Sequence, residues 1–184
     1  MWISRFTQWC ECKMCSIKPV RELYSYAYKK VVMEEIDLAE LNKADNVLFI
    51  GGGAIPYSAM YISEYCSKVT VLDCDKCCAT KAQQLIKSLD LKNIDVKYIN
   101  GKHFDFSSYS IIFVPLQAEP KGEILKSIAE TAPKDAKILI RSPKPSSKCY
   151  TTLDNAPIKL KKFRSLNQLT FDKTFLCSVK DITL

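Results

Sequence analysis

The sequence predicts an α/β fold: a doubly wound, mostly parallel sheet with antiparallel C-terminal strands and a short N-terminal helical segment. Three observations carry that expectation. Through the middle of the chain, short apolar runs rich in β-branched residues alternate with amphipathic stretches, which is the order of β-α-β units joined by right-handed crossovers. The first run, Val47–Ile50, leads straight into Gly51-Gly52-Gly53, a loop placed between a strand and a helix. After Arg141 the alternation stops, and strand-like segments follow one another without a helix between the last two, which requires an antiparallel partner.

The elements follow in order. From Pro19 to about Asn42, the residues Val20, Leu23, Tyr24, Ala27, Tyr28 and Val31 recur on one face of a helix, and Pro19 suits its first turn. A strand at Val47–Ile50 precedes a helix from about Pro56 to Tyr65, and a strand at Val69–Asp73 precedes a helix near Cys77–Ser88. Strands at Val96–Ile99 and Ile111–Val114 come next. A helix near Lys121–Ala132, opened by Pro120, leads to the strand Lys137–Ile140. Ile158–Phe163, Leu169–Phe171 and Thr174–Val179 read as the closing strands.

With 184 residues, the chain is long enough for one domain with a sizeable core, expected over residues 19–184, behind a Cys-rich segment at residues 1–18. The apolar fraction of 47% and charged fraction of 26% are those of a folded soluble protein, and no run of about 18 apolar residues offers a membrane span. The start, "MWISRFTQWCECKMC", has no apolar core followed by small residues, so no secretory leader is expected. Nine cysteines are then read as reduced thiols or metal ligands, and the expected compartment is the cytoplasm. The net charge of +7 concentrates late, in "KLKKFR" from Lys159 to Arg164. A solvated strand edge accounts for that run, and nucleic acid is not the expected partner.

A mostly parallel sheet ending in an antiparallel hairpin resembles the class I S-adenosylmethionine-dependent transferases, the Rossmann-like class I methyltransferase fold. In such a sheet a ligand lies beyond the carboxyl ends of the strands, at the switch point beside the first strand, where Gly51, Gly52 and Gly53 fall. Glycines there permit positive φ and close approach of a ligand. A pyrophosphate also needs free N–H groups at the following helix start, and Pro56 removes one. Adenosylmethionine carries no phosphate, so the proline favours it over NAD. Asp73 ends the next strand, 22 residues after Gly51 (73 minus 51), where a carboxylate can accept from both ribose hydroxyls. Asp75 suits the cap of the following helix better than Asp73 does.

The stretches "VLFIGGGAIPYSAMYIS", "VTVLDCD", "IIFVPLQAEPKGEILKSIAE" and "KILIRSP", in this order and spacing, resemble the nicotianamine synthase family, its archaeal members above all. The resemblance runs from about Tyr24 to Val179, and its most specific piece is the Gly-Gly-Gly-Ala-Ile-Pro loop. It implies adenosylmethionine as cofactor and transfer of its aminocarboxypropyl group to an amine, leaving methylthioadenosine. Gly51, Gly53 and Asp73 would hold the cofactor; Cys74, Lys102 and His103 fall around the adenine side; Pro115, Leu116 and Gln117 would line the cleft. "AYKKVVMEE" places Tyr28 and Glu35 at the family's Tyr and Glu positions, with Ala27 and Val31 replacing its Asn and Leu. Tyr28 would orient the reacting group or the substrate. Glu35 breaks the apolar stripe of its helix, so it either snorkels at the rim or faces substrate. Family enzymes carry a further helical domain before this point, where some twenty residues stand here. A homodimer mate or partner chain is therefore expected to cover the side where a small-molecule acceptor binds. The acidic residue often found after the third strand is replaced by Gly101, Lys102 and His103.

Cys10, Cys12 and Cys15 form a Cys-x-Cys-x-x-Cys cluster that could hold zinc or an iron–sulfur cluster with a fourth ligand, or simply reflect a cysteine-tolerant cytosolic chain. Cys66, Cys149 and Cys177 read as small apolar fillers. The leading expectation is an adenosylmethionine-dependent transferase, transferring either a methyl or an aminocarboxypropyl group. The alternatives are a non-catalytic binding module that uses its cysteines for metal or partner docking, and an RNA methyltransferase.

Overall fold

The computed structural model of the chain describes residues 18–144, 162–165 and 171–182. In chain order the elements are α1 (Lys18–Ala39), β1 (Asn46–Ile50), α2 (Tyr57–Ile62), β2 (Lys68–Asp73), α3 (Lys76–Ser88) and β3 (Ile94–Tyr98). They continue as β4 (Ile111–Val114), α4 (Lys121–Thr131), β5 (Lys137–Pro143), β6 (Lys162–Ser165) and β7 (Phe171–Ser178). The seven strands make one sheet in the order β3-β2-β1-β4-β5-β7-β6. β1 to β5 pair in parallel, and β7 runs antiparallel to both β5 and β6.

Both faces of the sheet are covered, which is why strands such as Ile111-Ile112-Phe113-Val114 are apolar at every position and buried throughout. Phe49, Val71, Phe113 and Leu139 share one face with Val32 and Ile36 of α1, Ile62 of α2 and Ile86 of α3. Leu48, Leu72, Ile112 and Ile138 point the other way, onto Ile124, Leu125 and Ile128 of α4. The Phe49 and Phe113 rings stack across neighbouring strands, with centroids 4.5 Å apart. β1 lies between β2 and β4, so successive crossovers leave it in opposite directions and open a crevice above its carboxyl end.

The predicted order and strand directions are those observed, with local differences. α2 stops at Ile62 rather than running to Tyr65. There the chain tightens into a turn, Tyr65 N–H on the Ile62 carbonyl, and returns Ser67 to the Asp45 carbonyl at the foot of the sheet. β3 begins at Ile94, two residues before expectation, because β2 offers it partners from Val69 onward. Of the predicted strand Leu169–Phe171, residues 169–170 lie outside the described part; Phe171 opens β7, which continues through the predicted Thr174–Val179 as far as Ser178 and pairs along β5 from Lys137 to Pro143 with a register shift at Ser142/Pro143, and that pairing also lengthens β5. Of the predicted strand Ile158–Phe163, residues 158–161 lie outside the described part.

Candidate functional site

The glycine loop sits at the carboxyl end of β1, and each glycine has a reason to be one. Gly51 and Gly53 take φ of 81° and 64°, in the region that L side chains rarely adopt. A Cβ on Gly52 would stand 2.2 Å from Cγ1 of Val71, inside β2. The loop is tied down at both ends. Gly51 N–H donates to the Leu72 carbonyl at 2.7 Å, and Gly53 N–H donates to Asp73 Oδ2 at 2.7 Å.

Asp73 thus meets the glycine loop, as their spacing anticipated, and its other oxygen, Oδ1, accepts from Asp75 N–H at 2.9 Å. Asp75 caps α3 by accepting from Cys78 N–H at 2.9 Å, the role expected of it rather than of Asp73. With the loop closed over it, Asp73 is only 5% exposed. Burial pushes its carboxyl above the ordinary range, and the N–H groups of Asp75 and Gly53 pull it back only in part. Cys74 follows at the exposed edge. Its thiol is pushed up by partial burial and by the neighbouring Asp73 charge, which keeps it protonated at neutral pH.

The other walls come from the loops after β3 and β4. Lys102 and His103 belong to a single 3-10 turn, Gly101–His103, started by Asn100, whose side chain accepts from Lys102 N–H. Lys102 pairs with Glu123 of α4 at 2.8 Å, and His103 is exposed. After β4, Ala118 N–H reaches back to the Pro115 carbonyl at 3.2 Å, closing a turn with Gln117 exposed at its tip. Pro115, expected to line the cleft, is buried against the Gly51 loop, and Leu116 departs from expectation as well. Its side chain is 1% exposed and inserted into the core, so it does not line an accessible cleft; only its carbonyl matters there, as an acceptor for Lys121 Nζ.

Glu35 is neither at the rim nor exposed to a cleft: it is fully buried at 0%. The reason is a partner on β5. Arg141 donates through Nε to Glu35 Oε1 at 2.8 Å and through Nη2 to Oε2 at 2.7 Å, while Thr174 Oγ1 donates to Oε1 at 2.8 Å. Arg141 also donates to Ser58 Oγ on α2 at 3.0 Å and lies over the Phe49 ring. Burial alone would depress the guanidinium; the Glu35 carboxylate more than offsets it and leaves Arg141 above its ordinary value. One signal for this pair was present in sequence, since Glu35 in an apolar stripe and Arg141 in the apolar run "KILIRSP" each need an opposite charge. Tyr28, on the same helix, stacks on Tyr57 at the start of α2 with ring centroids 6.2 Å apart. Tyr57, Ser58, Thr174 and Lys121 were not anticipated at the site.

Among the described residues, no group of three or more His, Cys, Asp or Glu side chains could hold a metal, and no helix is long and apolar enough to cross a membrane. The Cys10, Cys12 and Cys15 cluster, like Cys149, lies outside the described residues. Cys66 and Cys177 are buried fillers, and burial pushes the Cys66 thiol up to about 11. A shallow hollow lined by Gln83, Asp90 and Asp95 runs beside the start of β3, at the opposite end of the sheet from the glycines.

The sheet order, the antiparallel closing strands and the glycine loop at the switch point define the Rossmann-like class I methyltransferase fold. No protein-family model matches the chain. An L-histidine 2-aminobutanoyltransferase from Yersinia pestis is 26% identical over 132 residues, 71% of this chain and 49% of that protein. The crystal structure of MtNAS, a nicotianamine synthase, in complex with MTA and tNA superposes with a TM-score of 0.73 at 19% identity, covering 88% of this chain and 64% of that one. An RNA methyltransferase from Salinibacter ruber in complex with S-adenosyl-L-homocysteine gives a TM-score of 0.66 at 11% identity, covering 84% of this chain and 97% of that one. The chain therefore spans about half the length of the curated relative and under two thirds of the nicotianamine synthase. At such identities the solved structures speak for the fold.

Proposed function

We propose that the chain is an S-adenosylmethionine-dependent transferase of the nicotianamine synthase-like kind, moving an aminocarboxypropyl group to the amine of a small acceptor. The observation that carries this reading is the 2.7 Å bond from Gly53 N–H to Asp73, which brings the glycine loop and the carboxylate together at the switch point. The residues fit the cofactor. The loop has no side chains to obstruct a close ligand, and an ionised Asp73 keeps acceptor capacity for ribose hydroxyls beyond its bonds to backbone N–H groups. Pro56 opens a helix of six residues without a free N–H of its own, which suits a ligand lacking phosphate. When bound, adenosylmethionine supplies a sulfonium-activated carbon, either methyl or aminocarboxypropyl.

The chain's own residues then have distinct tasks. Gly51, Gly53 and Asp73 hold the cofactor, with Cys74 and Gln117 as walls and the buried Pro115 backing the glycine loop. Tyr28, braced by Tyr57, orients the acceptor amine or the reacting group. Glu35 is committed to Arg141, so its part is to hold α1 in place rather than to take a proton. An amino acid is the favoured acceptor class, in keeping with the name of the Yersinia relative, and a second copy or partner chain would complete the acceptor side. The archaeal nicotianamine synthase-like affiliation and a cytoplasmic setting belong to the same proposal.

The test is incubation with adenosylmethionine and L-histidine or another amino acid, with products identified by mass spectrometry. Methylthioadenosine together with an alkylated amino acid supports the proposal. Adenosylhomocysteine as the sole product moves the chain to methyl transfer. Binding without either product, measured by calorimetry, favours the binding-module alternative.

A further inference from the structure

Lys121, the first residue of α4, is 3% exposed. Taking an ammonium out of water is costly unless its donors find acceptors. Here Nζ donates to the Leu116 carbonyl at 2.8 Å and to Glu119 Oε1 at 2.9 Å, while the Lys121 backbone N–H donates to Glu119 Oε2 at 3.3 Å. Helix stability does not call for this arrangement. A cation at a helix N-terminus faces the positive end of the macrodipole, and α4 is already anchored by Ile124, Leu125 and Ile128. An apolar residue would serve the helix better.

What the ammonium does hold is the turn after β4. The Leu116 side chain is sunk in the core, its carbonyl is fastened to Lys121, and the Ala118–Pro115 bond closes the loop, leaving Gln117 at the tip. That turn abuts the glycine loop: a Cβ on Gly51 would lie 3.8 Å from Pro115 Cγ. We propose that Lys121 is a positioning residue for the cofactor site, its buried ammonium holding the Pro115–Ala118 turn against the Gly51 loop so that the buried Pro115 backs the loop and Gln117, at the exposed tip, faces the ligand. The inference rests on the reading of this crevice as an adenosylmethionine site.

The test compares adenosylmethionine affinity, by calorimetry well below the melting temperature, in the wild-type full chain, Lys121→Met and Ile128→Val. Lys121→Met keeps the apolar stem and removes the ammonium; its Kd is expected to rise about 10-fold or more, the range for losing a hydrogen bond from a charged group. Ile128→Val lowers stability from the same helix and is expected to leave Kd within about threefold, because it touches the core and not the turn. Should Lys121→Met fail to fold, Lys121→Gln, whose amide still donates to a carbonyl, is expected to bind with intermediate affinity. Wild-type binding with an unchanged Kd in the folded Lys121 variant overturns the inference and leaves the cofactor reading standing. Absence of binding by the wild type overturns both.

Discussion

Arg141 closes a two-point fork on Glu35, a residue 106 positions earlier, with both bonds under 3 Å. Through Ser58 and Thr174 the same pair touches α2 and β7, so one buried charge pair joins four elements just below the crevice. Glu35→Ala would strand the guanidinium in the core. A loss of about 3–5 kcal/mol is expected, read from urea unfolding, because removing one partner leaves an uncompensated buried charge. Glu35→Met combined with Arg141→Met should recover much of that loss. A single variant as stable as wild type would show that the fork contributes nothing.

Gly52→Ala puts a methyl 2.2 Å from Val71 Cγ1, closer than any real contact allows. The loop or β2 must shift, at about 1–3 kcal/mol, and adenosylmethionine affinity should fall with it. Val71→Ala in the same chain removes the clashing atom and is expected to restore ligand binding in part. Thermal unfolding and calorimetry read both effects; a Gly52→Ala protein that melts and binds like wild type would contradict the packing.

The Asp73 carboxyl is raised in the free protein, and ribose hydroxyls bond more strongly to its ionised form, which accepts through both oxygens. Cofactor affinity should therefore be flat above the raised value and fall as pH drops through it, starting above the ordinary carboxylate value of about 3.9. For stability the sign is the reverse. A raised folded pKa means the native state holds its proton more tightly, so this group favours folding more as pH falls through that window. Asp73→Asn should lower affinity and abolish the step. A wild-type affinity that does not change on acidification to pH 4 would remove Asp73 from ligand contact.

Tyr28→Phe keeps the ring that stacks on Tyr57 and removes only the hydroxyl. If that hydroxyl orients the reacting group, turnover should fall about 10–100-fold, roughly 1.4–2.7 kcal/mol of barrier, with adenosylmethionine affinity little changed. Steady-state kinetics and calorimetry separate the two quantities. Equal turnover in the variant would take Tyr28 out of the reaction.

The strand and helix order, the antiparallel close and the placing of the glycines and Asp73 at neighbouring strand ends were legible along the chain. Each of these rests on local information: an apolar run rich in β-branched residues marks a strand, glycines mark where it ends, and a parallel sheet of known handedness then brings two loop positions to the same crevice. Tertiary structure decided the rest. Whether Glu35 reached the rim or the core depended on Arg141 arriving from β5, and whether Leu116 or its carbonyl served the site depended on where Lys121 found its acceptors. Strand length followed the same rule, since β7 extends as far as it does with β5 on one side and β6 on the other to pair with it. Burying a charge is unfavourable until a specific partner is in place, and that partner's position is a property of the packed chain rather than of any window of its sequence.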